Sequence, residues 1–98
     1  LRGIREDGPA AQAADEAEAR WARATDAWDA IKWTLARDPE DVASWALNES
    51  GTLRALTIEG ARSIELPTVT VVYDFNLQHV TIREALFADA KAQRAGHA

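Results

Sequence analysis

Apolar positions follow two regimes along this chain. From Ala10 to Leu35 they recur at helical spacing, and from Leu53 to Phe87 they alternate or run together as they do in strands. In the second regime, LRALTIEGARSIELPTVTVVYDFNLQHVTIREALF, the apolar and β-branched runs stop at Glu59-Gly60-Ala61-Arg62 and at Asn76-Leu77-Gln78. That is turn chemistry between antiparallel strands. Strands are predicted over 53–59, 63–75 and 79–86, with Pro67 forcing an irregularity or an edge position in the middle one. Val69, Val71, Tyr73 and Phe75 fall on one face of that strand and Thr70, Val72 and Asp74 on the other, because side chains alternate with period two. The first is a core face and needs a cover.

The cover is predicted to be helical. Residues 1–8 hold Ile4 between charged neighbours and read as a short edge strand or a frayed terminus, with the strand preferred, and Pro9 then suits a first helical position. An alanine-rich helix over 10–24 follows. Ala14, Trp21, Trp28 and Leu35 recur every seven residues, with Ala17, Ala24 and Ile31 three beyond the first three, so one apolar stripe runs through the whole segment. A break at Ala24-Thr25-Asp26 is expected, with Asp26 capping a second helix. Trp28, Ile31 and Leu35 make that second helix the one expected to pack on the sheet. Arg37-Asp38-Pro39-Glu40-Asp41 reads as a stop followed by a start, giving a short helix over 39–47 and a loop at Asn48-Glu49-Ser50-Gly51. Residues 88–98 are expected to form a frayed helical turn and a loose tail.

The resulting expectation is a single α+β domain over 1–98, helical over 10–47, with two N-terminal helices packed on one face of a three- to four-stranded antiparallel sheet. No cysteine is present, which excludes disulfides, thiolate metal sites and a cysteine nucleophile. No apolar run approaches the roughly 20 residues of a membrane span, and a cytoplasmic protein with no membrane partner is expected. The chain has no methionine, even at position 1, so it is not expected to begin at its native start. Net charge is −5, concentrated in residues 1–51, which hold six Lys/Arg against eleven Asp/Glu. Such a balance argues against a broad nucleic-acid surface.

Candidate chemistry is sparse. His79 and His97 have no carboxylates at metal-ligand spacing, so no metal and no cofactor is expected. Ser44, Ser50 and Ser63 lack a nucleophile-elbow context, Gly60 lacks a phosphate-binding glycine pattern, and no catalytic residue is assigned. The candidate target-binding residues are Arg54, Arg62, Tyr73, His79 and Arg83. The three arginines are the cations of the sheet region, and alternation places Arg83 with Thr81 and Ala85, away from the helices. His79 sits beside a hairpin turn, and imidazole titrates near neutrality. Tyr73 shares the core face. Trp33 and Trp45, which fall outside the helical seam, are the candidate partner contacts.

Three stretches carry a resemblance. They are Gly8-Pro9-Ala10-Ala11; Trp28, Ile31-Lys32-Trp33 and Leu35-Ala36-Arg37-Asp38-Pro39-Glu40; and Leu66-Pro67-Thr68-Val69-Thr70-Val71-Val72-Tyr73 followed by Val80-Thr81-Ile82. Together with the order of elements, they resemble the RelE/ParE superfamily of type II toxin-antitoxin toxins. Membership would imply a small toxin neutralised by an antitoxin and acting on ribosome-bound mRNA or on DNA gyrase, with self-association open. Ribosome-dependent members place cations on the central strand and after the last one, where they stabilise the charge of RNA cleavage. Here those places hold Val69-Thr70-Val71-Val72-Tyr73 and Phe87-Ala88-Asp89-Ala90. The resemblance therefore points to the gyrase-inhibiting branch. The alternatives are an atypical metal-independent endoribonuclease, which requires Arg62, Tyr73, His79 and Arg83 to meet in one positive groove, and a non-toxic interaction domain of the same fold.

Overall fold

The segment around Ile4 is a strand, β1 (Gly3–Glu6), which passes through Asp7 into α1 (Gly8–Arg20). Pro9 lies in the first turn of α1, where its missing N–H costs no hydrogen bond. These elements belong to a computed structural model that describes residues 1–91. At Trp21 the backbone turns extended and α1 ends, and α2 (Ala24–Arg37) begins three residues later. Two helices therefore form, as expected, yet the seven-residue stripe continues through the break: Ala14, Ala17, Trp21, Ala24, Trp28, Ile31 and Leu35 are all buried. Asp26 is not the cap. It lies in the first turn of α2, where its carboxylate accepts from Arg23 Nε at 2.7 Å.

Four further strands complete the sheet: β2 (Trp45–Ala46), β3 (Leu53–Ile58), β4 (Thr68–Phe75) and β5 (His79–Ala88), in the order β1-β5-β4-β3-β2. The architecture is α+β, with both helices against a five-stranded mixed sheet. Two features depart from the three to four antiparallel strands expected. β1 pairs with β5 in parallel, which the long intervening chain permits and a hairpin could not. β2 is an additional strand, formed where a helix over 39–47 was expected. In that stretch the Asp38 carboxylate accepts from the Glu40 amide at 3.0 Å and the Asp41 carboxylate from the Ala43 amide at 2.8 Å. Short acidic side chains thus close two successive turns in place of a helix, and Trp45–Ala46 is left to pair with β3.

The middle strand is also shorter than the 63–75 expected. Arg62–Ile64 is a turn of 3-10 helix, Ala61 and Leu66 form an isolated bridge, and β4 starts only after Pro67. Leu56, Val69, Val71, Tyr73, Val80 and Ile82 build the sheet side of the core, facing Ala10, Ala14, Ala27, Trp28, Ile31 and Leu35. Contrary to expectation, α1 approaches the sheet most closely, along β5. Its Ala10, Ala14 and Ala17 have no bulk to hold the backbones apart, whereas α2 supplies the volume.

A β-bulge in β5 alters the expected phase. Val72 pairs with Glu84 but Tyr73 pairs with Ile82, so Arg83 is the extra residue. Val80 and Ile82 face the helices before the bulge, and Ala85 and Phe87 pack against the core after it. Arg83 therefore does not share a face with Ala85. Arg83 and Glu84 are both exposed instead. Among the described residues no helix is long and apolar enough to cross a membrane. The end of the tail expected over 88–98, including His97, lies outside the described residues.

Candidate functional site

The helix-side face carries the first cluster of candidates. Tyr73 is fully buried, and its hydroxyl donates to the Pro39 carbonyl. Arg54 is its cross-strand partner, and directly opposed residues share a face. The turns at 38–44 lie over both. Arg54 donates from Nε to Ser44 Oγ at 2.9 Å and from Nη2 to the Ser44 carbonyl at 3.3 Å. Ser44 Oγ in turn donates to the Asp41 carbonyl at 2.6 Å. These are structural roles: the phenol and the guanidinium anchor the α2–β2 connection to the end of the core.

Burial raises the Tyr73 phenol above its usual 10.0, against the smaller opposing effects of Ser44 and Arg54. The folded state thus favours the neutral phenol. Stability should be flat below pH 10.0 and fall as the pH rises from there through the raised value, because only the unfolded chain then releases the proton freely. Tyr73 is the only tyrosine, so phenolate absorption reports it alone. The expected result is an absorption rise displaced to higher pH than in denaturant and coincident with alkaline unfolding. A rise at the same pH in both conditions would contradict the burial.

The opposite face of the sheet is covered by neither helix. Register places Trp45, Ala55, Val72 and Glu84 in one row across it, with Thr57, Thr70 and Leu86 in the next. Trp45 is 46% exposed and Leu86 66%. The hydroxyls of Thr57 and Thr70 lie 2.8 Å apart between them. This open face is apolar and hydroxylic at its centre, without a cation there.

Arg83 stands on the same side, toward β1, but its charge is committed. It donates from Nε to Asp74 at 2.7 Å and from Nη1 to Asp7 at 2.9 Å. The hydrogen bond it donates to Asp7 first, and the one it donates to Asp74 next, push its guanidinium further above its usual range. His79 lies at the hairpin end of β5, where an Arg5 guanidinium N–H reaches its Nε2 at 3.3 Å. Arg62 is at the other end of the sheet, where it lines a cleft of about 330 Å³ with Arg20, Trp21, Glu65, Leu66 and Asp89. The seven residue steps of β4 between these ends span about 23 Å at ~3.3 Å each. Tyr73, on the covered face, meets none of the three. The groove required for an endoribonuclease built on these residues is not assembled.

Trp33 is 56% exposed on α2, with the Arg37 guanidinium 5.9 Å from its ring centre. Trp33 and Trp45 are both on the surface, but on different sides of the molecule, since Trp33 lines a groove between α2 and β1. Sequence reasoning placed Val72 on the face opposite the core, where register confirms it, but missed Leu86 as an open-face residue. The signal was present in the apolar phase, which runs Val80, Ile82 and then Ala85, Phe87, with two charges together at the slip. Among the described residues no group of three or more His, Asp or Glu side chains could hold a metal ion.

Comparison with protein-family models, with curated proteins and with solved structures gave no match.

Proposed function

We propose that this chain is the toxin-like component of a type II toxin-antitoxin pair, acting by binding a protein target through the open face of its sheet and neutralised by an antitoxin. The observation that carries the mode of action is the contrast on that face. Trp45 and Leu86 are exposed around a centre of Val72 and threonines, while Arg83, the candidate cation on the same side, is held between two carboxylates. Exposed aromatic and aliphatic side chains gain from a protein contact, whereas RNA cleavage needs uncommitted cations at the reacting phosphate. Gyrase-type inhibition is therefore preferred to cleavage of ribosome-bound mRNA. The strand-helix-helix-strands order supports the toxin reading as it did in the sequence.

Controlled induction in a bacterial host tests this. Wild type should arrest growth, and Trp45→Ala with Leu86→Glu should relieve the arrest while the protein stays folded with only a modest fall in melting temperature, since Leu86 is mostly exposed and Trp45 about half so. A central tryptophan contact is worth roughly 2 kcal/mol or more, a loss of about thirtyfold in affinity. Arg83→Ala should still arrest growth. Relief by Arg83→Ala but not by the open-face pair would reverse the assignment, and no arrest from folded wild type would favour a non-toxic interaction domain.

A further inference from the structure

A second surface lies on the other side of the molecule, between β1 and α2. β1 is an edge strand. The Gly3 amide bonds the Gln78 carbonyl at 2.9 Å and the Asp7 amide bonds the Ile82 carbonyl at 2.9 Å. In a parallel ladder alternate residues bond the same neighbour, so the peptide groups of Ile4 and Glu6 point outward from the sheet. Beside this edge runs a shallow groove of about 390 Å³ lined by Ile4, Glu6, Asp29, Lys32, Trp33 and Ala36. It closes at one end where the Arg2 amide bonds the Ala36 carbonyl at 3.0 Å. Its middle is apolar, with Ile4 and the exposed Trp33.

The other end is acidic. Glu6 and Asp29 continue into a cleft between the helices that also holds Asp15 and Glu18. Lys32 is the one cation among the lining residues there, and it is paired with Glu6 at 3.3 Å and Asp29 at 3.9 Å. Four carboxylates against one ammonium leave that end net negative.

We infer that this groove takes an extended basic segment of a protein partner, added to the sheet as a strand along the outward peptide groups of Ile4 and Glu6. Strand addition gives affinity through the main chain, and specificity through every second side chain. On the helix side, an apolar residue sits over Ile4 and Trp33, and lysines or arginines at the next alternate positions reach Asp29, Glu6 and the acidic cleft. Charge selects this occupant over a second copy of the chain, because two-fold pairing would set one acidic groove against its like. The inference is independent of what the open face binds.

The test is an amide NMR titration of the whole chain with the synthetic peptide acetyl-Thr-Val-Thr-Lys-Thr-Lys-amide, and with the same peptide carrying Glu in place of each Lys. The expected result is shifts and exchange protection at Ile4 and Glu6 and a shift of the Trp33 indole. Binding of the glutamate peptide should be at least about tenfold weaker. Asp29→Lys and Trp33→Ala should each weaken the lysine peptide by about tenfold, and both replace exposed side chains, so the fold is kept. Equal binding of the two peptides, shifts centred on Trp45 and Leu86, or no shift at millimolar peptide would overturn the inference. A concentration-dependent dimer protected at Ile4 and Glu6 without peptide would assign the edge to a second copy and overturn it too.

Discussion

Tyr73→Ala is expected to destabilise the protein by about 3–5 kcal/mol, the cost of removing a buried aromatic ring whose site cannot fully collapse. The ring is fully buried on the sheet side of the core, near Phe75, and its hydroxyl donates to the Pro39 carbonyl. Total stability of a domain this size is about 5–15 kcal/mol, so the variant should lie close to its unfolding threshold. Tyr73→Phe separates the two contributions. It keeps the ring and leaves the Pro39 carbonyl without its donor, which should cost about 1–3 kcal/mol. Urea unfolding of wild type and both variants measures this directly. A Tyr73→Phe variant as stable as wild type would show that the hydroxyl does not anchor the connection after α2. This is also why loss of activity on replacing Tyr73 would be no sign of a catalytic phenol.

Gly60→Ala is the second large effect. Gly60 follows β3, and its amide donates to Thr68 Oγ1 at 3.0 Å as the chain doubles back. A Cβ there would land on the Leu66 carbonyl and on the backbone of Pro67. Backbone cannot swing aside as a side chain can, so the Ala61–Leu66 bridge and the start of β4 would have to move. A loss of about 2–4 kcal/mol is expected. Two other glycines calibrate the measurement. Gly51, at φ 75°, should cost about 1 kcal/mol when replaced by alanine, through backbone conformation alone. Gly8 begins α1 with open space around it, so alanine there should be neutral or stabilise by up to about 1 kcal/mol. Thermal unfolding of the three variants checks the order; Gly60→Ala no worse than Gly51→Ala would mean that the connection is not packed as described.

Much of the fold was legible because burial leaves a period in the sequence. The alternation in 69–75 identified the covered face, and the heptad from Ala14 to Leu35 named seven residues that are all buried, though it left out the buried Ala10, Ala27 and Ala36. What period cannot carry is direction or competition. Nothing in Gly3–Glu6 tells a parallel edge from an antiparallel one, because alternation is the same in both. In 38–47, Pro39 and the acidic residues looked like a helix start, but the carboxylates of Asp38 and Asp41 bind nearby amides and favour turns. The site was less legible than the fold. Sequence shows that Arg54 and Arg83 are cations, but not that Ser44 covers the first and that Asp7, distant in sequence, claims the second. Trp33 and Trp45 were identifiable as surface tryptophans because neither fits the helical stripe, whereas Leu86 was hidden by the bulge that turns it outward.

The most direct test of the central claim, that the open face binds protein, is in-cell photo-crosslinking from a photoreactive residue placed at Leu86, during induction. The expected result is a discrete protein adduct that is lost with Trp45→Ala and retained with Arg83→Ala. An RNA adduct from the same position, lost with Arg83→Ala, would contradict the account and favour the nuclease alternative over it.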